Sequence, residues 1–151
     1  MTILYKTLPI HQCSERLIVN PMVKLHGYNP GHPLDDFILH YHKIVYQDFF
    51  KVQPDFGTVR YIESGEYLFA TAVVGIRQCL HSEEQIVKTM VLIRDFALEA
   101  NLLSDIAIDL DSFASIPGGE KIIKVLKNVF PRDTITVYMG TEHFPHAAIC
   151  V

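Results

Sequence analysis

Apolar residues in this chain fall into short runs, separated by longer stretches in which they recur at helical spacing. Thr2 to Tyr5 is β-prone and reads as an edge strand. Leu17-Ile18-Val19 is wholly apolar, which suits a strand buried on both faces and ending at Asn20-Pro21, where proline cannot donate to a ladder. Leu34, Phe37, Ile38, Tyr41, Ile44, Val45 and Phe49 recur at three and four residues, with Pro33 in the first helical position and Asp35 and Asp36 in the first turn. This pattern predicts one amphipathic helix from Pro33 to about Phe50.

Val59 to Ile62 and Tyr67 to Val74, split by Glu63-Ser64-Gly65-Glu66, predict a hairpin. Ser82-Glu83-Glu84-Gln85 has capping-box spacing. It opens a helix to about Ala100 that is apolar on much of its circumference and is expected to be well buried. Ile106-Ala107-Ile108 is the next strand, followed by a helix from about Pro117 to Val129 and a β-branched strand from Thr134 to Tyr138. A short strand at Ala148 to Val151 would end the chain. Strands alternating with helices call for a mixed sheet with helices packed on it, in one domain spanning residues 1–151.

Charge narrows the function. The chain has 151 residues, 49% hydrophobic and 20% charged, with a net charge of −4. Scattered Lys and Arg argue against nucleic acid as a partner, since a phosphate backbone demands a basic face. No apolar run reaches the roughly 18 residues of a membrane span. Cys13, Cys79 and Cys150 are far apart, with no C-x-x-C, which suggests free thiols in a reducing compartment, hence a cytoplasmic protein.

Two loops carry candidate chemistry. Asn20 to Asp36 and Asp109 to Gly119 each join a strand end to a helix start, so in a layered fold they can face each other across a cleft. Asn20 and Asn29 can donate and accept hydrogen bonds. Asp35 is a candidate base or water-positioning group, or else it complements the helix dipole along with Asp36. In the second loop, Ser112, Ser115, Gly118 and Gly119 suit a ligand approached closely by backbone. The same residues also suit a plain connector with Ser115 as N-cap.

Histidines do not point to a metal. His40 and His42, on one helix, would lie about 200° apart, while His26, His32, His143 and His146 lie in loops. Neither a metal nor a cofactor is expected. The chain lacks G-x-S-x-G, P-loop and G-x-G-x-x-G motifs, and Cys79 near His81 is weak evidence for a nucleophile.

With both loops in view, the pattern resembles the macro domain family, whose members bind ADP-ribose and related nucleotides. The resemblance runs from about Leu17 to Tyr138. Leu17-Ile18-Val19-Asn20 looks like that family's I-V-N. Leu34-Asp35-Asp36-Phe37-Ile38-Leu39-His40 is similar to its V-D-G-A-I, with Asp35 on the motif's aspartate. Gly57-Thr58-Val59 looks like its G-x-V strand entry, and Ile106-Ala107-Ile108 is similar to its I-A-I-P strand. Several positions depart. Val23 stands where a second asparagine is usual, Asp109 replaces the proline, and Ser112 and Ala114 replace the later loop's glycines. Asp109 and Asp111 would repel a phosphate.

The resemblance implies an α/β three-layer fold, a mixed central sheet with helices on both faces. It implies an ADP-ribose-like small molecule or an ADP-ribosylated protein as partner. Asn20, Asn29, Gly31, Ser112, Ala114, Ser115, Gly118 and Gly119 would bind the ligand, with Asn20 on the distal ribose. Asp35 would activate water for metal-independent hydrolysis of an ADP-ribosyl or ADP-ribose-phosphate derivative. Binding without chemistry is the neighbouring reading. The alternative is a degenerate macro fold serving as a protein-interaction module, viral or accessory, which if viral would act in the host cytoplasm.

Overall fold

The computed structural model describes residues 1–24, 32–76, 82–116 and 118–140, with the side chains of Lys24, Ile76 and Ser82 outside that description. Six strands form one sheet: β1 (Thr2–Lys6), β2 (Leu17–Lys24), β3 (Val59–Ser64), β4 (Tyr67–Ile76), β5 (Ile106–Asp109) and β6 (Thr134–Tyr138). Their spatial order is β1-β6-β5-β2-β4-β3, so β1 is indeed an edge strand. Neighbours run parallel except β3 and β4, which pair antiparallel. That pair is the predicted hairpin, turned at Gly65 with φ +60°. The other connections need crossovers, which the helices supply.

Helices are α1 (Pro33–Tyr41), α2 (Lys43–Val52), α3 (Ser82–Glu99), α4 (Leu110–Ala114) and α5 (Ile122–Val129). Successive strand residues point to opposite faces. Leu17, Val19, Ile106, Ile108, Ile135 and Val137 join α3 and α5 in one core. Ile18, Phe69, Ala107 and Tyr138 join α1 and α2 in the other. Helices thus cover both faces of a mixed sheet. On α5, Ile122, Val125, Leu126 and Val129 are all buried, each stabilising the packing by about 1.5–3 kcal/mol.

Four elements differ from the pattern-based expectation. Strand β2 does not stop at Pro21 but runs on to Lys24. It pairs with β5 only through Val19, and from Asn20 onward with β4 alone. A one-sided strand tolerates a missing N–H. The first helix is two helices broken at His42. The break rotates the buried stripe, so Tyr41 is 67% exposed while His42 is only 8% exposed. The His42 ring packs edge-on against Phe37 and Tyr67, and its Nδ1 shares a 2.7 Å hydrogen bond with Ser64 Oγ. Burial holds its pKa below the usual histidine value.

Helix α3 buries one stripe, Ile86, Met90, Ile93 and Ala97, while Val87, Leu92 and Leu98 are exposed. The Ser82 half of its capping box lies outside the described side chains. Finally, the loop after β5 is itself helical as α4, and the last helix starts at Ile122 after a 3-10 turn, Gly119–Lys121. Ser115 therefore follows α4 rather than capping α5, and its hydroxyl donates to the Ser112 carbonyl at 2.9 Å. Pro117 and the proposed strand at Ala148 to Val151 lie outside the described residues.

Strands β2 and β5 are parallel neighbours, yet the chain leaves them toward opposite faces. After β2 it reaches α1 on one side, and after β5 it reaches α4 and α5 on the other. In open α/β sheets such a divergence opens a crevice at the strands' carboxyl ends.

Candidate functional site

A cavity occupies that crevice. It measures about 300 Å³ including its open mouth and is lined by Pro21, Met22 and Val23 of β2, His32 and Asp35 at the start of α1, and Ser112, Ser115 and Ile116 of the second loop. A second cavity of about 240 Å³ adjoins it, sharing Met22 and Asp35 and lined further by Asn20, Ile38, Val45, Tyr46 and Phe49. The shared carboxylate makes them two parts of one cleft. The first part is about evenly polar and apolar, the second mainly apolar and aromatic.

Asp35 reaches the cleft because Pro33 starts α1 with its φ already helical, which fixes the first turn against the end of β2. Asn20 lies where β2 loses β5 and is 2% exposed. Its Nδ2 donates to Thr71 Oγ1 on β4 at 3.3 Å, while its Oδ1 has no hydrogen-bond partner among the described residues. A buried amide left half-paired is costly in a finished core, and here it stands beside a cavity.

Asp109 ends β5 and is 1% exposed. It accepts a 2.5 Å hydrogen bond from Ser112 Oγ. Burial pushes its carboxyl up to about 6; the Ser112 hydroxyl pulls it back, Asp111 raises it further, and the N–H groups of Ser112 and Asp111 oppose the rise. Asp109 is therefore not an open charge facing a ligand, as its sequence position suggested, but a buried group that grips Ser112. Asp109 occupies the N-cap position of α4 without a side-chain cap hydrogen bond; aspartate is a residue type favoured at that position.

Among the nominated site residues, the fold brings together Asn20, Asp35, Ser112 and Ser115. Ala114 is exposed and lines neither cavity. Gly118 and Gly119 line neither one, because their backbones approach protein rather than open space. A Cβ on Gly118 would meet Glu83, and one on Gly119 would meet the Phe113 carbonyl. Asn29 and Gly31 lie outside the described residues. Spacing did not reveal the apolar half, Ile38, Val45, Tyr46 and Phe49, since a buried helix stripe and a pocket wall read alike.

Among the described residues no group of three His, Cys, Asp or Glu is placed to hold a metal ion, and no helix there is long and apolar enough to cross a membrane. Cys13 is buried, and burial together with Glu15 pushes its thiol up to about 12, so it stays protonated and unreactive at neutral pH. Cys79 and Cys150 lie outside the described residues.

No protein-family model and no curated protein matches the chain. Solved structures do. The macrodomain of Thermus aquaticus DarG superposes with a TM-score of 0.69 at 10% identity, covering 91% of this chain and 98% of that one. A macrodomain protein from Streptomyces coelicolor gives a TM-score of 0.69 at 15% identity, over 91% of this chain and 98% of that one. DarTG from Thermosipho africanus, solved in complex with ADP-ribose, gives 0.63 at 12% identity, over 89% of this chain and 41% of that one. The chain has the macrodomain fold.

Proposed function

We propose that the cleft between the end of β2 and the start of α4 binds an ADP-ribose-type nucleotide derivative. The observation that carries this is the two-part cavity joined at Asp35. A nucleotide sugar has one flat, weakly polar part and one part rich in hydroxyls. An apolar, aromatic part lined by Tyr46 and Phe49 beside a mixed part that carries the Ser112 and Ser115 hydroxyls accommodates that division. The unpaired Oδ1 of Asn20 is ready for a ligand donor. The ADP-ribose complex of a protein sharing this fold supports the same ligand class.

Calorimetric titration of ADP-ribose is expected to give micromolar affinity. Asp35→Ala, which removes the carboxylate common to both cavities, is expected to weaken binding about ten- to a hundred-fold, as for lost hydrogen bonds to a charged group. Its melting temperature should stay close to wild type. Undiminished affinity in the variant would remove Asp35 from the site. The same pair of proteins reads out chemistry. Hydrolysis of an ADP-ribosyl ester by wild type and not by Asp35→Ala assigns Asp35 the water-orienting role. Binding without turnover assigns the cleft to recognition alone. No binding by wild type would favour the protein-interaction reading.

A further inference from the structure

The sheet ends in two edges of different character. At one, β3 carries Arg60 and Glu63, which pair with Asp48 of α2 at 2.8 Å and with Arg16 at 2.7 Å. Its residues other than Glu63 are half-buried. Charges on an edge strand are a usual protection against pairing with another chain. At the other edge, β1 carries Ile3, Leu4 and Tyr5 in succession, with no charged side chain before Lys6. The Lys6 ammonium is itself turned toward Glu15, 3.9 Å away. Leu4 is 47% exposed and Tyr5 50%, with Met1 and Leu8 exposed at either end. This strand has β6 on one side and, among the described residues, no strand on the other.

Along a strand, the backbone groups of successive residues turn to alternate sides. The Thr2 N–H donates to the Asp133 carbonyl at 3.1 Å, and the Lys6 carbonyl accepts from the Met139 N–H at 2.9 Å. Thr2, Leu4 and Lys6 therefore turn their backbones toward β6, in register with it, and Ile3 and Tyr5 turn theirs outward. In an antiparallel pair, opposed residues at alternate positions exchange both hydrogen bonds. A second β1, rotated about a two-fold axis at Leu4, sets Ile3 opposite Tyr5 of the partner subunit. Every outward N–H and C=O of Ile3 and Tyr5 in both strands then finds a partner. Leu4 meets Leu4 of the partner subunit, and Thr2 meets Lys6 of the partner subunit, so no like charges are opposed.

We propose that β1 is a homodimer interface, in which two copies pair antiparallel along Thr2–Lys6 about a two-fold axis at Leu4 and join their sheets into one. A second copy fits this edge because the pairing is self-complementary: apolar side chains meet apolar ones, backbone donors meet acceptors, and no charge meets its like. Such a contact uses the same patch on both subunits and closes on itself. Strand order places β6 between this edge and β5, so the cleft at the ends of β2 and β5 stays open. Antiparallel pairing reverses the strand direction in the second sheet, and the two clefts face opposite ends of the dimer. The interface holds whatever ligand the cleft takes.

Sedimentation equilibrium of the full chain is expected to show a dimer with a micromolar dissociation constant. Leu4→Lys opposes like charges across the axis, and Tyr5→Pro removes an outward N–H that β6 does not use. Each should weaken the dimer at least about ten-fold, with far-UV circular dichroism unchanged. Leu98→Lys, at an exposed position on α3, should leave it intact. Leu4→Cys, in a chain whose Cys79 and Cys150 are replaced by serine, tests the register without loss of the interface. Opposed Cα atoms about 4.5 Å apart lie within disulfide reach, so this variant should cross-link to itself on oxidation, whereas Thr2→Cys should not. A monomeric wild type overturns the proposal, and slow exchange of its Ile3 and Tyr5 amides would give the edge to a segment of the same chain. A dimer that neither edge variant weakens overturns the assignment to β1. A dimeric Leu4→Cys variant that forms no cross-link overturns the pairing about Leu4.

Discussion

Gly119→Ala is expected to lower stability by about 3 kcal/mol or more and to disorganise the cleft. Overpacking a tight site commonly costs about 1–3 kcal/mol, and this site is worse than tight. A Cβ on Gly119 would lie 1.7 Å from the Phe113 carbonyl oxygen and 2.7 Å from its carbonyl carbon. Both obstacles are backbone, so no side-chain rotation relieves them. Phe113 is fully buried in the core beneath α3 and α5, and its carbonyl accepts from the Ile116 N–H. Relief requires lifting the whole α4 corner, and with it Ser112 and Ser115. For a chain of this size, 3 kcal/mol corresponds to a fall in melting temperature of about 6–12 °C. Ligand affinity should fall as well. A melting temperature within about 2 °C of wild type would mean that the corner does not pack as described.

Asp109→Asn is expected to stabilise the protein at neutral pH, with a benefit that vanishes in acid. Burial raises the Asp109 carboxyl from 3.8 to about 6 in the folded state. Below pH 3.8 both states carry the proton and the shift has no effect. Between 3.8 and 6 the unfolded chain ionises first, so stability falls as pH rises. Above 6 the loss is complete, on the order of 3 kcal/mol at 1.36 kcal/mol per pKa unit. An asparagine never ionises and keeps an oxygen to accept from Ser112. Urea unfolding of both proteins at pH 4 and pH 7.5 should show near-equal stability at the lower pH and a variant about 1–3 kcal/mol more stable at the higher. A variant less stable by the same amount at both pH values would contradict the account. A carboxylate kept at such a cost at a strand end is more in keeping with a binding site than with a core.

Much of this was legible in the sequence because periodicity reports burial. Leu17-Ile18-Val19 and Ile106-Ala107-Ile108 read as buried strands and pair as such, side by side in the sheet. Their following loops read as the two sides of a cleft, and the structure sets Asp35 opposite Ser112 and Ser115. What could not be read depended on neighbours distant in sequence. The break at His42 is stabilised by Ser64 and an aromatic cluster drawn from β4. Pro21 sits inside a strand only because β5 has already ended. Gly118 and Gly119 looked like a ligand-approach pair, yet Glu83 and Phe113 occupy the space they leave. Asp109 looked like a charge repelling phosphate, whereas burial makes it the anchor for Ser112. Composition cannot tell a glycine that faces a ligand from one that faces a carbonyl, nor an open carboxylate from a buried one.

The most direct measurement is a crystal structure of the protein grown with saturating ADP-ribose. The account predicts ligand density running through both cavities past Asp35. A hydrogen-bonding group of the ligand should lie within about 2.7–3.0 Å of the Asp35 carboxylate or of Asn20 Oδ1. Ligand bound at another surface with this cleft empty would contradict it.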